Sequence, residues 1–326
     1  MRIEMWADVV CAWGYIGKRR LEKALAGWDG EPVEVVWRPF RMDPTAPVPA
    51  TPYDELLRDP MADEALRACA PGLSPSENRV RISQVAAAEG LGPTWGAAWR
   101  AGSHDAHRLI ALARRQGGAP LQDAVVEAVM RAHFVEGRDI SDAEVLARIA
   151  GGAGWEEGAD LLAAGAAEQE VRELLLTGKA QRVATSPTLV VNGLALAGAQ
   201  PPEAIAEFLR SSARHAPPRL PAEVRRLRRA ESLLDQRDPL GALTLLGPLL
   251  DEHGEDPNVR LLAARAYYAS AQLDRAARTL EELVAQTPDD SYVHHLLGRT
   301  RQRQGRDRDA AAHLAVAAAM TPDYGG

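Results

Sequence analysis

Cysteine is the scarcest residue of this chain: two in 326, Cys11 and Cys69. So few exclude a disulfide scaffold, which small secreted domains build from several pairs. Either a cysteine here carries chemistry or neither does. Long apolar runs are absent too. None approaches the roughly 18–20 residues that a membrane-spanning helix needs. The stretch Met1–Val10 carries Glu4 and Asp8 and no small-residue cleavage site, so it does not read as a signal peptide. The expected location is the cytoplasm, with no membrane partner. A basic excess is also missing, because 38 Lys and Arg against 45 Asp and Glu leave a net charge of −7. Nucleic-acid binding rests on a basic footprint, so no such partner is expected. What is present is an ordinary globular composition, 46% hydrophobic and 25% charged, long enough for two or three domains.

The aromatic residues are uneven, with all seven tryptophans at or before Trp155. The segment Ser211–Pro221 holds three prolines among small residues. Proline breaks helices and biases its predecessor to extended backbone, so this segment is a linker, placed at 216–222. Beyond it the chain repeats with a period of 34. Ala242, Ala276 and Ala310 keep that spacing, as do Leu246, Leu280 and Leu314, then Ala230, Ala264 and Gly298, then Gly254, Pro288 and Pro322. This is the tetratricopeptide period: small residues where paired helices cross, large apolar residues between them, and a breaker at each end. Three repeats follow, about 223–256, 257–290 and 291–322. Stacking of such hairpins buries the face that each alone leaves bare.

Residues 1–215 show a mixed pattern. Arg2–Val10 and Pro32–Phe40 read as strands flanking a helix from Gly14 to Ala26. A proline-rich loop follows (Pro44, Pro47, Pro49, Pro52), then a helical block over about 63–180. Pro187–Val191 and Leu194–Leu196 flank Asn192-Gly193, the strongest short hairpin signal. A last helix spans about Pro202–Ser211. Strand–helix–strand and a later hairpin–helix combine into an α/β layer.

Cys11 follows the first strand and opens the first helix. There a thiol faces free backbone N–H groups and the positive end of the helix dipole, so its pKa is expected to fall. The competing reading is a small buried hydrophobe. Ser186-Pro187 precedes the hairpin and is either a cis bond facing a neighbouring site or an ordinary proline opening a strand. His104 and His107 share a helix face but lack a third ligand at metal-like spacing, so no metal is expected. Adjacent His294 and His295 point apart on a helix and are discounted as ligands. The arginines at 299, 301, 303, 306 and 308 read as a solvated face, or as a groove for an acidic peptide.

The segment Asp8-Val9-Val10-Cys11-Ala12-Trp13-Gly14-Tyr15-Ile16-Gly17-Lys18-Arg19 resembles the active-site stretch of the DsbA-like thioredoxin-fold family, where a strand leads into Cys-Pro-Trp-Cys-Tyr-Ile-Gly-Lys. Trp37–Phe40, Asp105–Leu109, Ala132–Ile140 and Gly198–Pro201 extend the resemblance over residues 2–209. It points to the FrnE-type branch, related to 2-hydroxychromene-2-carboxylate isomerases and kappa-class glutathione transferases. The implied architecture is an α/β thioredoxin-like fold with a large helical insertion, followed by an all-α tetratricopeptide array. The implied site is Cys11 as nucleophile, with Ala12, Trp13, Gly14, His107, Ser186 and Pro187 around it. Three positions depart from the family: Gly14 stands where the branch has a second cysteine, Ala12 replaces its proline, and Thr185-Ser186 replace Gly-Val before the proline.

Without a thiol at position 14, a mixed disulfide on Cys11 needs an external thiol for release. Cys69 is the other thiol available in the sequence. The resemblance therefore implies a monothiol enzyme acting on a disulfide or on a small conjugated, polyketide-like substrate of secondary metabolism. The thiolate would exchange with a disulfide or add reversibly to a double bond and isomerise it. No tightly bound cofactor is expected beyond a low-molecular-weight thiol as co-substrate. The alternative is a redox-inactive thioredoxin fold joined to repeats, acting as chaperone or adaptor, with a protein partner or self-association through the array.

Overall fold

The computed structural model describes residues 1–56, 58, 72–216 and 220–325. They fall into two compact units, Met1–Gly178 with Val183–Pro218, and Lys179–Arg182 with Arg219–Gly326.

The first unit is built on a four-stranded sheet. Strand β1 (Arg2–Ala7) lies between β2 (Glu34–Pro39), to which it is parallel, and β5 (Thr188–Val191), to which it is antiparallel. β5 continues into β6 (Leu194–Ala197) at the sheet edge. β1 is central, so it is buried on both faces from Met5 to Ala7. The β5–β6 turn is Asn192-Gly193, with φ of +51° and +82°. Two left-handed residues in succession are what a two-residue hairpin turn of the primed type requires. The parallel crossover is made by α1 (Ala12–Ala26), which turns Ile16, Leu21 and Ala24 inward.

The helical block opens after a small antiparallel sheet of β3 (Thr51–Pro52) and β4 (Trp99–Arg100), the first followed by a short helix α2 (Tyr53–Leu56). β4 lies inside the stretch expected to be wholly helical. Its side chains explain it: Arg100 Nε holds Asp43 at 2.8 Å and the Trp99 indole donates to the Gly137 carbonyl at 2.8 Å, so this strand moors the proline-rich loop. Helix α3 (Pro75–Ala88) starts with a capping box between Ser74 and Glu77. α4 (His104–Phe134) is bent at Gly117-Gly118 and packs on β2. α5 (Ala143–Gly152), α6 (Glu157–Ala163) and α7 (Glu168–Ala180) complete the block, and α8 (Pro202–Ala213) returns against α1. One contiguous core joins Ile3, Met5, Ile16, Leu109, Met130 and Leu209. Gly178 is required beside Trp6, because a Cβ there would lie 2.6 Å from the indole ring.

The second unit is an array of helical hairpins: α9 (Ala222–Asp235) with α10 (Pro239–His253), α11 (Pro257–Ala269) with α12 (Leu273–Gln286), and α13 (Ser291–Arg303) with α14 (Asp307–Met320). Asp238, Asp256 and Asp290 cap α10, α11 and α13 through their carboxylates. The periodic small residues Ala230, Ala242, Ala264, Ala276 and Ala310 are all buried. Gly298 takes the third place in one of these series because Leu314 lies over it; a Cβ there would meet Leu314 Cγ at 2.6 Å. The arginine cluster is not uniformly solvated. Arg299, Arg303, Arg306 and Arg308 are exposed, but Arg301 is buried in an ion pair with Glu281. His294 and His295 do point apart, the first meeting His313 and the Pro288 carbonyl, the second stacking on Tyr324. Among the described residues no helix is long and apolar enough to cross a membrane.

A fragment of residues 1–215 is expected to fold alone, giving one cooperative urea transition by circular dichroism. Aggregation, or a broad non-cooperative transition, would move the boundary.

Candidate active site

β1 ends at Ala7, and the next four residues turn the chain into α1. Asp8 organises that turn. Its carbonyl accepts the Cys11 N–H at 3.1 Å, and its carboxylate accepts Val10 N–H at 3.4 Å and Met42 N–H at 2.7 Å. Its own N–H donates to Ser186 Oγ at 3.0 Å. Cys11 is the N-cap of α1, its carbonyl accepting the Gly14 N–H at 2.9 Å. Its thiol points across to the second element: Sγ–H donates to the Ser186 carbonyl at 3.4 Å. The Ser186–Pro187 bond is cis. Pro187 in turn sits on α1, and a Cβ at Gly17 would lie 2.8 Å from its Cγ.

Cys11, Ser186 and Pro187 are thus brought together, with Ala12, Trp13 and Gly14 forming the first turn beside them. Trp13 is half-buried under the Arg81 guanidinium, 5.7 Å from its ring centroid. A Cβ at Gly14 would lie 3.5 Å from Cys11 Cβ and 3.0 Å from the Asp8 carbonyl oxygen. His107 does not line the pocket as expected. Its ring is buried beneath the turn, Nε2 facing the Phe40 carbonyl at 2.9 Å and Asp8 Oδ1 at 3.3 Å. His104 turns instead to Glu168 at 2.7 Å, so the two histidines share no ligand position. Among the described residues no group of three or more metal-ligating side chains converges. Cys69 lies outside the described residues.

The electrostatics reverse one expectation. Cys11 is only 3% exposed, and burial pushes its thiol above the ordinary range. The nearby Asp8 charge adds to this, and the hydrogen bonds from Ser186, Gly14 and Trp13 oppose it without winning. A helix N-terminus favours an anion by about 0.3–1 kcal/mol at exposed sites, which does not offset removal from water. The resting site therefore holds a thiol. Asp8 goes the other way. Burial alone would raise it, but the hydrogen bond and charge of His107, the Met42 N–H and Ser103 hold it below the usual carboxylate value.

Sequence reasoning missed Asp8, Ser103 and His133 as a buried polar layer under the turn, each 2% exposed or less. The signal was present for Asp8, an acid at the end of an apolar run. Burial pushes His133 down to about 4, against the pull of Asp8 and Asp139, and its Nδ1 has no partner among the described residues.

Residues 2–210 match the family described as DSBA-like thioredoxin domain, and residues 233–300 match a tetratricopeptide repeat family. Among solved structures the chain is similar to a probable DsbA oxidoreductase from Streptomyces coelicolor, at 29% identity and a TM-score of 0.54, over 68% of this chain and 94% of that one. It also matches the cytosolic disulfide reductase DsbM from Pseudomonas aeruginosa with GSH, at 20% identity and a TM-score of 0.46, over 66% of this chain and 100% of that one. No curated protein matches.

Two measurements check the electrostatics. Alkylation of Cys11 is expected to keep climbing with pH above about 8.5, the ordinary thiol value, instead of levelling near neutrality. A plateau near pH 7 would contradict the burial argument. His133 takes up a proton in the unfolded chain near the ordinary 6.5 but in the fold only at about 4. The unfolded state binds more protons in that window, so stability is full above it and falls as pH drops through it, by about 3 kcal/mol in all. His133→Phe should flatten that slope in urea titrations between the two pH values. An unchanged slope would assign the acid sensitivity to another group.

Proposed function

Because the chain belongs to the DSBA-like thioredoxin-domain family, we propose that it is a monothiol enzyme of thiol–disulfide exchange with Cys11 as its nucleophile. The observation that supports this best is the pairing of Cys11 Sγ with the Ser186 carbonyl at the head of α1, beside a glycine at position 14. Cys11 loses its proton to solvent base and attacks one sulfur of a disulfide R–S–S–R′. The S–S bond breaks, Cys11–S–S–R forms, and R′–S⁻ leaves and takes up a proton. No thiol stands at position 14 to attack the adduct, so a second, external thiol R″–SH does so. It forms R–S–S–R″ and returns Cys11 as a thiol. The sum is RSSR′ + R″SH → RSSR″ + R′SH, with no net oxidation of the protein.

The same thiolate would add to a conjugated double bond. The two chemistries part at the adduct, since a mixed disulfide is released by added thiol and a thioether is not. One observation favours a different class of function. A thiol 3% exposed and pushed above its ordinary range suits a redox-inactive unit that serves the repeat array as adaptor.

Incubation of the native protein with a small disulfide, followed by intact mass spectrometry, is expected to show one adduct on Cys11. It should persist after gel filtration, leave on addition of dithiothreitol, and be absent in Cys11→Ser. Lack of any adduct in the folded state, with labelling only after denaturation, would favour the adaptor. Gly14→Cys supplies the absent thiol. Its Cβ falls 3.5 Å from Cys11 Cβ, inside the about 3.5–4.5 Å that disulfides span, once the Asp8 carbonyl yields a few tenths of an ångström. This variant is expected to expel the adduct without added thiol and to form an internal 11–14 disulfide. If its adduct is as durable as that of the natural chain, positions 11 and 14 do not meet.

A further inference from the structure

Helices α4 and α5 pack against each other but leave a cleft of about 330 Å³, lined by none of the residues of the Cys11 site. Its origin lies in residue size. On α4 the lining residues Ala124, Ala128 and Ala132 recur every fourth position and so form one row along the helix. On α5 they are faced by Val145, Ile149 and Gly152. Alanines opposite a row that ends in glycine leave space that longer side chains would occupy. A Cβ at Gly152 would meet no atom within 4 Å.

The rim has the opposite character. Arg131 comes from α4, Arg138 from the turn after it, and Arg148 from α5. That turn is fixed by its backbone, with Glu136 N–H donating to the Arg131 carbonyl at 3.0 Å and Arg138 N–H to the Ala132 carbonyl at 2.9 Å, around Gly137 at φ +62°. Glu136 is the one acid among the described residues that line the cleft. Its carboxylate lies 3.1 Å from Arg131 Nε and 3.3 Å from Arg138 Nε, so it ties both guanidiniums to one mouth. The terminal nitrogens of both make no hydrogen bond among the described residues. Arg148 is exposed and has neither hydrogen bond nor ion pair among them. Three arginines less one glutamate leave +2 around this opening, in a chain whose net charge is −7.

Small-molecule sites are concave, mainly apolar, and oriented by a few polar groups; about 300 Å³ is the lower end of their size. A guanidinium meets a carboxylate with two parallel charge-assisted bonds. We propose that the α4–α5 cleft binds a small monocarboxylate with an apolar tail. The tail lies on Ala124, Ala128 and Ile149, and the carboxylate lies among Arg131, Arg138 and Arg148. A neutral or cationic molecule of the same shape would leave the charge of the rim unmatched. Arg148 is the group such a ligand engages without breaking an existing bond.

Octanoate, octanol and octylammonium carry one tail and three different charges, and they test this with the full chain. In titrations followed by amide NMR, octanoate is expected to shift Ala128, Ala132 and Ile149 at the lowest concentration, octanol at a higher one and octylammonium at the highest. The preference for octanoate should shrink as salt is raised. Arg148→Gln changes an exposed side chain and is expected to weaken octanoate by about fivefold, the worth of one exposed ion pair, while leaving octanol unchanged. Gly152→Leu puts a side chain into the open space and should abolish binding of both. Equal affinity for the three probes would overturn the anion selection. Shifts that map away from α4 and α5, or no shifts at all, would overturn the site itself. Octanoate affinity that ignores Arg148→Gln, in a variant with the native circular dichroism spectrum, would also count against the proposal.

Discussion

A single buried carboxylate holds the working end of the first unit together. Asp8 joins the end of the central strand, the Cys11 turn, the Ser186–Pro187 segment, the loop after β2 and the long helix α4, using its carbonyl, its N–H and both carboxylate oxygens. An ionised group in so apolar a place survives only when its bonds are complete, because an uncompensated buried charge costs several kcal/mol. That requirement fixes geometry. His107 must lie below the turn, Met42 must approach from the side, and Ser186 must face the strand end. The thiol then has nowhere to point except at the Ser186 carbonyl.

The arrangement that places the sulfur also quiets it. Burial and the Asp8 charge both favour the protonated form, and the helix terminus offers too little to reverse them. Placement and activation are thus separate properties here, and this fold supplies the first. On the exchange chemistry proposed above, entry of a charged substrate or a local opening of the turn would supply the second. The repeat array is organised by a different rule. Its helices meet through small residues at fixed spacing, and the buried Arg301 pairs with Glu281 of the preceding hairpin at one of those crossings.

Much of this was legible in the residues. The 34-residue period announced the array, because helix crossings tolerate only small side chains and those recur in register. Asn192-Gly193 announced the hairpin, because few other pairs accept two left-handed conformations. Cys11 at a strand–helix junction marked the candidate site, where the thiol stands at the head of α1 against Ser186. The direction of its acidity was not legible, since burial depends on what packs over the turn, and that comes from residues such as Ser186 far along the chain. The place of His107 was missed for the same reason: a helix face says which way a ring points, not that a carboxylate waits there. The short strand at Trp99–Arg100 escaped because two residues carry no periodicity, and the buried state of Arg301 because its partner Glu281 lies on the preceding hairpin.

Glycine at position 14 has a consequence that reaches outside the protein. Two neighbouring sulfurs store a pair of electrons between them and so possess a midpoint potential of their own. A sulfur whose neighbour is hydrogen-only backbone stores none. Within the Cys11 turn there is no internal couple to poise, and any voltage read from this centre would be that of the molecule attached to it. The turn would then act as a relay whose direction is set by the surrounding thiol pool and reverses when that pool does.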